Sequence, residues 1–307
     1  MTQTLPSIEE SVGTDAPSWA AEPVEPDHSI QESVADRDRP LASIVVPYYN
    51  PGDRLRSTVD HLVRVLEASK VSFEIITVSD GSTDGSPLTL DEFPESVVRR
   101  VSYASNVGKG HALRTGLALG SGRYLGFIDA DGDISPDFMA SFVSIMHADD
   151  PDIIIGSKRH PDSSVHWTPL RRLYSWVHQR LIHRLFRLDI KDTQVGIKLM
   201  DRQVVADVLP LLRESRFAFD LEFLVLARHL GYTRVVEAPV RIKERSGSTI
   251  SVKRAWRLLV DTLGLFVRLS LRHGYDAAKT SQSAGSALAA VEVPVVGTTR
   301  TAVAMPA

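Results

Sequence analysis

Three carboxylates follow one apolar segment of the chain at a spacing of two residues. Residues 124–128 are long enough for one buried strand, and Asp129, Asp131 and Asp133 come directly after them. In an open α/β sheet, ligands bind at the carboxyl ends of strands, so these side chains would stand where a substrate binds. Aspartate oxygens suit Mg²⁺ or Mn²⁺, which proteins usually hold with one or two carboxylates plus substrate phosphates. The segment therefore predicts a metal–diphosphate site.

Other interpretations of this acidic segment were compared with the metal–diphosphate site. A calcium loop of the EF-hand type that starts at Asp129 needs Gly and Glu at its sixth and twelfth positions, which are Ile134 and Ala140. That interpretation fails. A phosphatase with an aspartyl nucleophile also has Asp-x-Asp after a strand, but Asp133 stands where Thr or Val normally follows. A solvated acidic turn stays open, because Asp and Gly are common turn residues.

The composition is that of a globular protein in a reducing compartment. The chain has 307 residues, 43% of them hydrophobic, and no cysteine, which excludes disulfides, thiolate catalysis and zinc–thiolate sites. No window approaches 18 apolar residues, and the N-terminus lacks a basic segment followed by an apolar one. We therefore expect neither a membrane span nor a signal peptide. We also expect no nucleic-acid partner.

Charge divides the chain into an acidic start and a basic remainder. Residues 1–40 carry nine acidic and two basic side chains, although the net charge of the whole chain is only -3. Such a polar segment cannot bury enough apolar surface to offset its ordering entropy, so we expect residues 1–40 to be disordered. Residues 276–307 lack helical or strand periodicity, and we expect the same there. The predicted folded part comprises a domain at 41–250 and an amphipathic helix at 251–275.

Strands and helices alternate along the first half of the folded part. Apolar segments at 41–46, 73–78, 97–103, 124–128 and 153–155 predict strands, and helical spacing is present at 55–66 and 111–119. This alternation is typical of βαβ units and predicts an α/β fold with a mostly parallel central sheet flanked by helices. The polar clusters all follow strands, so we expect them at one edge of the sheet.

Taken together, the polar motifs resemble those of a family 2 glycosyltransferase with the GT-A fold. Three of them occur in the family's order: Asp80-Gly81-Ser82-Thr83-Asp84, Asn106-x-Gly108-Lys109-Gly110 and Asp129-Ala130-Asp131-Gly132. Two later segments, at 192–198 and 217–222, are similar to the dolichyl-phosphate β-glucosyltransferase branch, and polyprenyl-phosphate mannose synthases share the early motifs. The resemblance implies an inverting transfer of a hexose from a nucleotide diphosphate sugar, with UDP-glucose favoured, to a dolichyl or undecaprenyl phosphate.

The resemblance also implies which residues bind the nucleotide base and ribose. Pro47, Tyr49 and Asn50 would support the base, and Asp80 would accept hydrogen bonds from the base edge or the ribose. The chain departs from the family at Pro51, where Glu is usual. A second acid that many relatives have beside Asp80 is also replaced, by a serine.

The diphosphate and the metal would be bound by the next two motifs. Lys109 lies between two glycines ahead of a helix, where an ammonium and exposed backbone N–H groups can face phosphate. The resemblance places Asp129 toward the ribose and the metal, Asp131 directly on the metal, and Asp133 near it. The ion, Mg²⁺ or Mn²⁺, would stabilise the departing nucleotide diphosphate.

A further group of residues would bind the acceptor. In the mannose synthases, an Arg at the position of Lys158 acts with residues that match Arg171 and Ser175 to hold the acceptor phosphate. A lysine at this position cannot form the two parallel hydrogen bonds that an arginine guanidinium forms with one phosphate. Gln194 is a further candidate contact.

A phosphate acceptor is already anionic near neutral pH, so its attack needs alignment more than proton removal. If a general base exists, Asp192 or Asp220 is the candidate. Asp220 also lies at the start of a helical segment, where an acid interacts favourably with the helix dipole.

Two segments could bring the enzyme to a lipid. Residues 252–272 combine an apolar face, a basic face and Trp256, which suits a helix lying among lipid headgroups, and residues 167–186 offer a second such surface. The alternative for the first segment is a helix docked on the core. We expect a cytoplasmic enzyme bound peripherally to the inner face of the membrane.

Several alternatives to glucosyl transfer stay open at the level of sequence. The donor could be a UDP-N-acetylhexosamine or GDP-mannose, because one sequence does not reveal the shape of a pocket. The acceptor could be a soluble saccharide or a protein, which would require a base. A protein with the same fold that binds ligands without catalysis is a third possibility, but the intact Asp129 and Asp131 argue against it.

Overall fold

The computed structural model describes residues 39–163, 169–214, 218–242, 260 and 262–268, without the side chains of 169–174. The predicted disordered tails therefore lie outside the described residues, apart from residues 39 and 40. Most of the predicted amphipathic helix at 251–275 also lies outside them, but residues 260 and 262–268 are helical.

The described residues form a central sheet of seven strands. The strands are β1 (Ala42–Tyr48), β2 (Phe73–Asp80), β3 (Val98–Tyr103), β4 (Tyr124–Ile128), β5 (Ile153–Ser157), β6 (Ile197–Asp201) and β7 (Val235–Pro239). Their order across the sheet is β3-β2-β1-β4-β6-β5-β7. Only β6 is antiparallel to its neighbours, so the predicted mostly parallel sheet is confirmed.

Helices connect these strands and cover both faces of the sheet. They are α1 (Arg54–Ala68), α2 (Lys109–Leu119), α3 (Asp137–Asp149), α4 (Pro169–Phe186), α5 (Arg202–Val208) and α6 (Phe219–His229). Short 3₁₀ helices occupy Ser86–Leu90 and Leu209–Leu211. The predicted helices at 55–66 and 111–119 are confirmed as α1 and α2. None of the described helices combines the length and the apolar character needed to cross a bilayer.

The central strand β1 separates two apolar layers. All of its seven residues are buried, as expected for a strand of a parallel sheet that helices cover on both faces. Val45 belongs to the cluster that includes Leu113 of α2 and Phe223 of α6. Its neighbour Ile44 belongs to the other cluster, with residues of α1 and α3. Alternate side chains of one strand thus hold the two helical layers together.

Pro47 lies inside β1, although the sequence predicts that it ends the strand. It is opposite Val78 of β2. On the other side of β1, the pairing with β4 ends at Val45, so a single strand flanks the proline. A proline is tolerated where one side of a strand is not paired, because its missing N–H leaves no gap in a ladder.

Candidate active site

Strand direction brings the predicted site residues to one edge of the sheet. β1, β2 and β4 are parallel, and β6 is antiparallel to both β4 and β5. The carboxyl ends of β1, β2, β4 and β5 therefore lie beside the start of β6. The predicted residues at or just beyond this edge are Tyr49, Asp80, Asp129, Lys158 and Gln194.

A cavity of about 340 Å³ opens at the ends of β1 and β2. Its walls are formed by Pro47, Tyr48, Tyr49, Asp80, Asn106, Gly108, Lys109 and Ala112. Four of the predicted donor-binding residues are in this set. The Tyr49 side chain is 52% exposed, so its ring is available to stack on a planar group. The sequence prediction omitted Tyr48 and Ala112, which no motif marks, and Asn106 and Gly108, which the second motif contains.

Asp80 holds the loop that leads into α2. Its Oδ1 accepts a hydrogen bond from the Val107 N–H at 2.8 Å, and its Oδ2 accepts one from the Gly108 N–H at 3.0 Å. Next to it, Gly81 has a φ of 73°, and a Cβ there would lie 2.7 Å from the carbonyl carbon of Ser105. A carboxylate can accept about four hydrogen bonds, so Asp80 keeps capacity for a ligand. Its first role is to shape the cavity wall.

Asn50 positions a loop instead of lining the cavity. Its Oδ1 accepts a hydrogen bond from the Thr83 N–H at 2.8 Å, and its own N–H donates to Ser82 Oγ at 3.0 Å. Its φ of 47° places it in the left-handed region, which Asn tolerates better than most residues. Asn50 Oδ1 is thus engaged within the protein, and the expected contact of Asn50 with the base stays a prediction.

Lys109 and Asp129 form an ion pair beside the cavity. Lys109 Nζ lies 2.5 Å from Asp129 Oδ1, with the two side chains 24% and 31% exposed. Burial acts to lower the pKa of Lys109, but the carboxylates of Asp129, Asp220 and Asp131 act in the opposite direction and leave it raised. The ammonium thus stays charged at neutral pH and can face a phosphate at the rim of the cavity.

Gly196 makes room for the Asp129 side chain. The Asp129 N–H donates to the Gly196 carbonyl at 2.9 Å. A Cβ on Gly196 would lie only 1.9 Å from Asp129 Oδ2. The glycine between β6 and the preceding loop is therefore required by the position of this carboxylate.

The carboxylates after β4 are the predicted ligands of a hard divalent cation. Among the described residues, no three His, Asp or Glu side chains are grouped so that they could hold one ion. These side chains are therefore not gathered around one point in this structure, and the prediction that Asp133 lies near the metal with Asp129 and Asp131 stays a prediction. The Asp133 N–H instead donates to Asp131 Oδ1 at 3.1 Å, across Gly132 with its φ of 69°. Two carboxylates suit Mg²⁺ or Mn²⁺, because substrate phosphates and water supply the other ligands.

Asp220 forms a buried ion pair with Lys198, a partner that the sequence prediction did not identify. Lys198 Nζ lies 2.6 Å from Asp220 Oδ1, and the two side chains are 1% and 7% exposed. Nζ also donates to the Val195 carbonyl at 2.8 Å and lies 5.1 Å from the centre of the Phe127 ring. Burial lowers the pKa of Lys198, and the Asp220 carboxylate opposes that shift. A buried carboxylate bound to an ammonium is poorly placed to act as a general base.

Asp192 and Gln194 lie in the loop before β6, next to the end of β5. The Lys158 N–H donates to Asp192 Oδ2 at 3.3 Å. Gln194 Nε2 is buried and has no hydrogen-bond partner among the described residues. Asp192 therefore remains the better placed of the two predicted base candidates, and Gln194 has a donor available for a ligand.

The predicted acceptor residues are only partly brought together. Arg171 belongs to α4, but its side chain lies outside the described residues. Ser175 Oγ accepts a hydrogen bond from Arg159 Nη2 at 2.7 Å. The structure thus joins Ser175 to Arg159, which the sequence prediction did not assign to the site, and not to Lys158.

The sequence matches a known protein family and several curated proteins. The family described as Glycosyl transferase family 2 matches residues 43–209. A protein of Dictyostelium discoideum named dolichyl-phosphate beta-glucosyltransferase is 31% identical over 237 residues, 72% of either chain. Proteins of the same name from Drosophila melanogaster and Homo sapiens are 32% and 28% identical, and the alignments cover 70% and 77% of the present chain and 70% and 78% of theirs.

The structure resembles solved glycosyltransferases. Mannosyl-3-phosphoglycerate synthase from Rubrobacter xylanophilus has a TM-score of 0.61 at 16% identity, with 76% of this chain and 75% of that chain covered. Glucosyl-3-phosphoglycerate synthase from Mycobacterium tuberculosis, in complex with Mn²⁺, UDP and phosphoglyceric acid, has a TM-score of 0.58 at 18% identity, with coverage of 76% and 80%. The expected GT-A fold is thereby confirmed.

Proposed function

Because the chain belongs to glycosyl transferase family 2, we propose that it transfers glucose from UDP-glucose to a polyprenyl phosphate. The order of the groups along one sheet edge carries the proposal. The donor cavity lies at β1 and β2, the Lys109–Asp129 pair at β4, and Arg159 beyond the end of β5. The names of the relatives support glucose as the sugar and a polyprenyl phosphate as the acceptor.

The proposed reaction exchanges one bond at the anomeric carbon for another. An oxygen of the acceptor phosphate attacks that carbon, the bond to the UDP oxygen breaks, and the configuration inverts. The attacking oxygen is anionic near neutral pH, so no side chain has to remove a proton, and alignment provides most of the acceleration. Lys109, held by Asp129, offsets the negative charge that develops on UDP. Asp129 and Asp131 would hold Mg²⁺ or Mn²⁺, which would supply Lewis-acid stabilisation of the same leaving group.

A matrix of donors and acceptors tests the proposal. Radiolabelled UDP-glucose, UDP-N-acetylglucosamine and GDP-mannose are each offered with undecaprenyl phosphate, dolichyl phosphate and 3-phosphoglycerate. We expect labelled lipid only from UDP-glucose with a polyprenyl phosphate, and only when a divalent ion is present. Label on 3-phosphoglycerate alone would reject the lipid acceptor, and label from another sugar nucleotide would reject the donor.

Gly196→Ala is expected to reduce glucosyl transfer by about a hundredfold, because the added methyl group displaces the Asp129 carboxylate. It should also lower the free energy of unfolding by about 1–3 kcal/mol, the usual cost of overpacking. Initial rates and chemical denaturation measure the two effects. The control is Gly264→Ala, at which a Cβ meets nothing within 4 Å. Equal rates for the two variants would show that Asp129 does not need its present position.

The apolar residues exposed on α4 and on the helical residues 260 and 262–268 supply a membrane-binding surface in this proposal. Exposed members of this surface are Trp176, Val177, Val260, Leu263 and Val267. The two segments pack together, with His178 Nε2 3.3 Å from Thr262 Oγ1 and the Phe186 and Phe266 rings 6.0 Å apart. The exposed Arg180 and Arg184 on α4 add positive charge, and each such residue contributes about 1 kcal/mol near anionic lipid. The enzyme would thus act from the cytoplasmic face as a peripheral protein.

The double substitution Trp176→Ser and Leu263→Ser is expected to weaken binding to anionic vesicles at least about tenfold, because it removes apolar side chains from the surface that enters the headgroup region. Cosedimentation with phosphatidylserine-containing vesicles measures the change. Leu88→Ser is the matched control, since Leu88 is 72% exposed and belongs to neither segment. Deleting residues 251–307 should have a similar effect to the double substitution. An unchanged partition of the double variant would reject this surface.

A further inference from the structure

The backbone that carries Arg159 is fixed by hydrogen bonds. Arg159 lies two residues beyond the end of β5. The His160 N–H donates to the Ser157 carbonyl at 3.2 Å, and Ser163 Oγ donates to the same carbonyl at 2.6 Å. Ser163 Oγ in turn accepts from the Val240 N–H at 2.9 Å. Arg159 is therefore presented from a closed turn and not from an extended loop.

The guanidinium of Arg159 is oriented by α4. Its Nη2 donates to Ser175 Oγ at 2.7 Å, and the side chain is partly buried. In the part of the chain that the structure describes, no carboxylate forms an ion pair with Arg159, whereas Arg100 and Arg234 pair with aspartates. A guanidinium has five N–H donors, so most of them remain available to an anion.

Arg159 also lies on the correct side of the site for an acceptor. β5 is two strands from β4 across the sheet, a separation of about 10 Å. The loop that precedes β6 lies between them and carries Asp192 and the unpaired Nε2 of Gln194. Arg159 thus lies on the β5 side of the sheet edge that carries Asp129, and the loop of Asp192 and Gln194 lies between them.

We propose that Arg159, held by Ser175, binds the phosphate monoester of the acceptor, a role that comparison of motifs would give to Lys158. The inference rests on the proposed function, because it assigns a residue to the acceptor side of that reaction. An arginine binds a phosphate through two parallel N–H···O bonds, which fixes the direction of the attacking oxygen as well as its position. Lys158 is a point charge and cannot form two parallel hydrogen bonds to one phosphate. Ser175 is a positioning residue, because it acts through the guanidinium.

Steady-state kinetics with a short-chain polyprenyl phosphate test the assignment. Arg159→Gln should raise the KM for this acceptor about tenfold to a hundredfold, the usual effect of losing hydrogen bonds to a charged group, and the KM for UDP-glucose should change by less than about twofold. Arg159→Lys should raise the acceptor KM less than Arg159→Gln does, because lysine retains the positive charge. It should still raise this KM above the wild-type value, because lysine cannot form two parallel hydrogen bonds to the phosphate. Ser175→Ala should raise the acceptor KM by a smaller factor without changing kcat or the melting temperature. Lys158→Gln is the matched control and should affect the acceptor KM less than Arg159→Gln.

Three results would overturn the inference. They are a larger effect at Lys158 than at Arg159, an equal rise in the KM of both substrates, and no change in either KM. The wild-type enzyme is assayed first, to separate this inference from the proposed function. If it uses 3-phosphoglycerate and not the lipid, the proposed function fails, and the same variants are compared with that phosphate monoester. If it uses only an acceptor that has no phosphate, the role of Arg159 fails as well.

Discussion

Asp131→Ala is expected to reduce kcat/KM for glucosyl transfer at least about a hundredfold, which corresponds to about 2.7 kcal/mol of transition-state stabilisation. The reason is that the proposal assigns Asp131, with Asp129, to the divalent ion that binds the diphosphate. The side chain is partly exposed, and its loss removes an acceptor for the Asp133 N–H. The free energy of unfolding should therefore fall by only about 1 kcal/mol. Initial rates at saturating Mn²⁺ and titration of Mn²⁺ by calorimetry measure the two consequences.

Two further variants test whether the loss of activity is caused by the missing charge of Asp131. Asp131→Asn keeps an oxygen for the Asp133 N–H and removes the charge, so it should lose Mn²⁺ affinity and activity without the loss of stability. Asp133→Ala should retain most of the activity, because Asp133 contacts Asp131 through its backbone N–H, which the substitution keeps. A large loss of activity in Asp133→Ala, together with normal transfer by Asp131→Asn, would show that Asp133 is the metal ligand and that Asp131 is not.

Asp220→Ala is expected to lower the free energy of unfolding by about 3–5 kcal/mol, because it leaves the ammonium of Lys198 buried without its counter-charge. Lys198→Met should have a similar effect, since it leaves the Asp220 carboxylate uncompensated. Urea denaturation followed by circular dichroism measures both. As a control, Asp60→Ala removes an ion pair with Arg64 whose side chains are 49% and 67% exposed. Asp60→Ala should lower the free energy of unfolding much less than Asp220→Ala does, because water screens an exposed ion pair.

The double variant Lys198→Met with Asp220→Leu separates the structural role of this pair from a catalytic one. It replaces both charges by apolar groups of similar size, so most of the lost stability should return. If the refolded double variant transfers glucose at a substantial fraction of the wild-type rate, Asp220 is not the general base. A stable double variant with no activity would return Asp220 to the list of reacting residues.

Local patterns and the family resemblance together predicted four of the residues that line the cavity at β1 and β2. Asp80, Lys109 and Asp129 are recognisable because each stands at a strand end or a helix start within a short polar motif. The carboxyl ends of parallel strands share one edge, so predicting the strands also placed these residues together. Tyr49 and Pro47 followed from the same reasoning at the end of β1.

The contacts that the sequence did not predict join residues far apart in the chain. Asn50 was predicted to contact the base, and its side chain also accepts a hydrogen bond from Thr83, 33 positions away. Asp220 was predicted as a candidate general base, and it acts on the pKa of Lys109, but its direct partner is Lys198, which is 22 positions away. Arg159 and Ser175 are separated by 16 positions and by residues that no motif connects.

The sequence by itself determined the alternation of strands and helices and the mostly parallel sheet, and it predicts a metal–diphosphate site at the end of β4. These follow from hydrophobic periodicity and from short motifs, which are properties of neighbouring residues. Only the tertiary structure decided which charges are neutralised internally and which remain available to a ligand. That outcome depends on the partner that packing brings to each side chain, as it brings Lys198 to Asp220 and Ser175 to Arg159. The same type of residue can thus become a buried structural ion or a group that binds a ligand. Burial and pairing decide between the two, because they set whether the side chain is charged and whether a ligand can contact it.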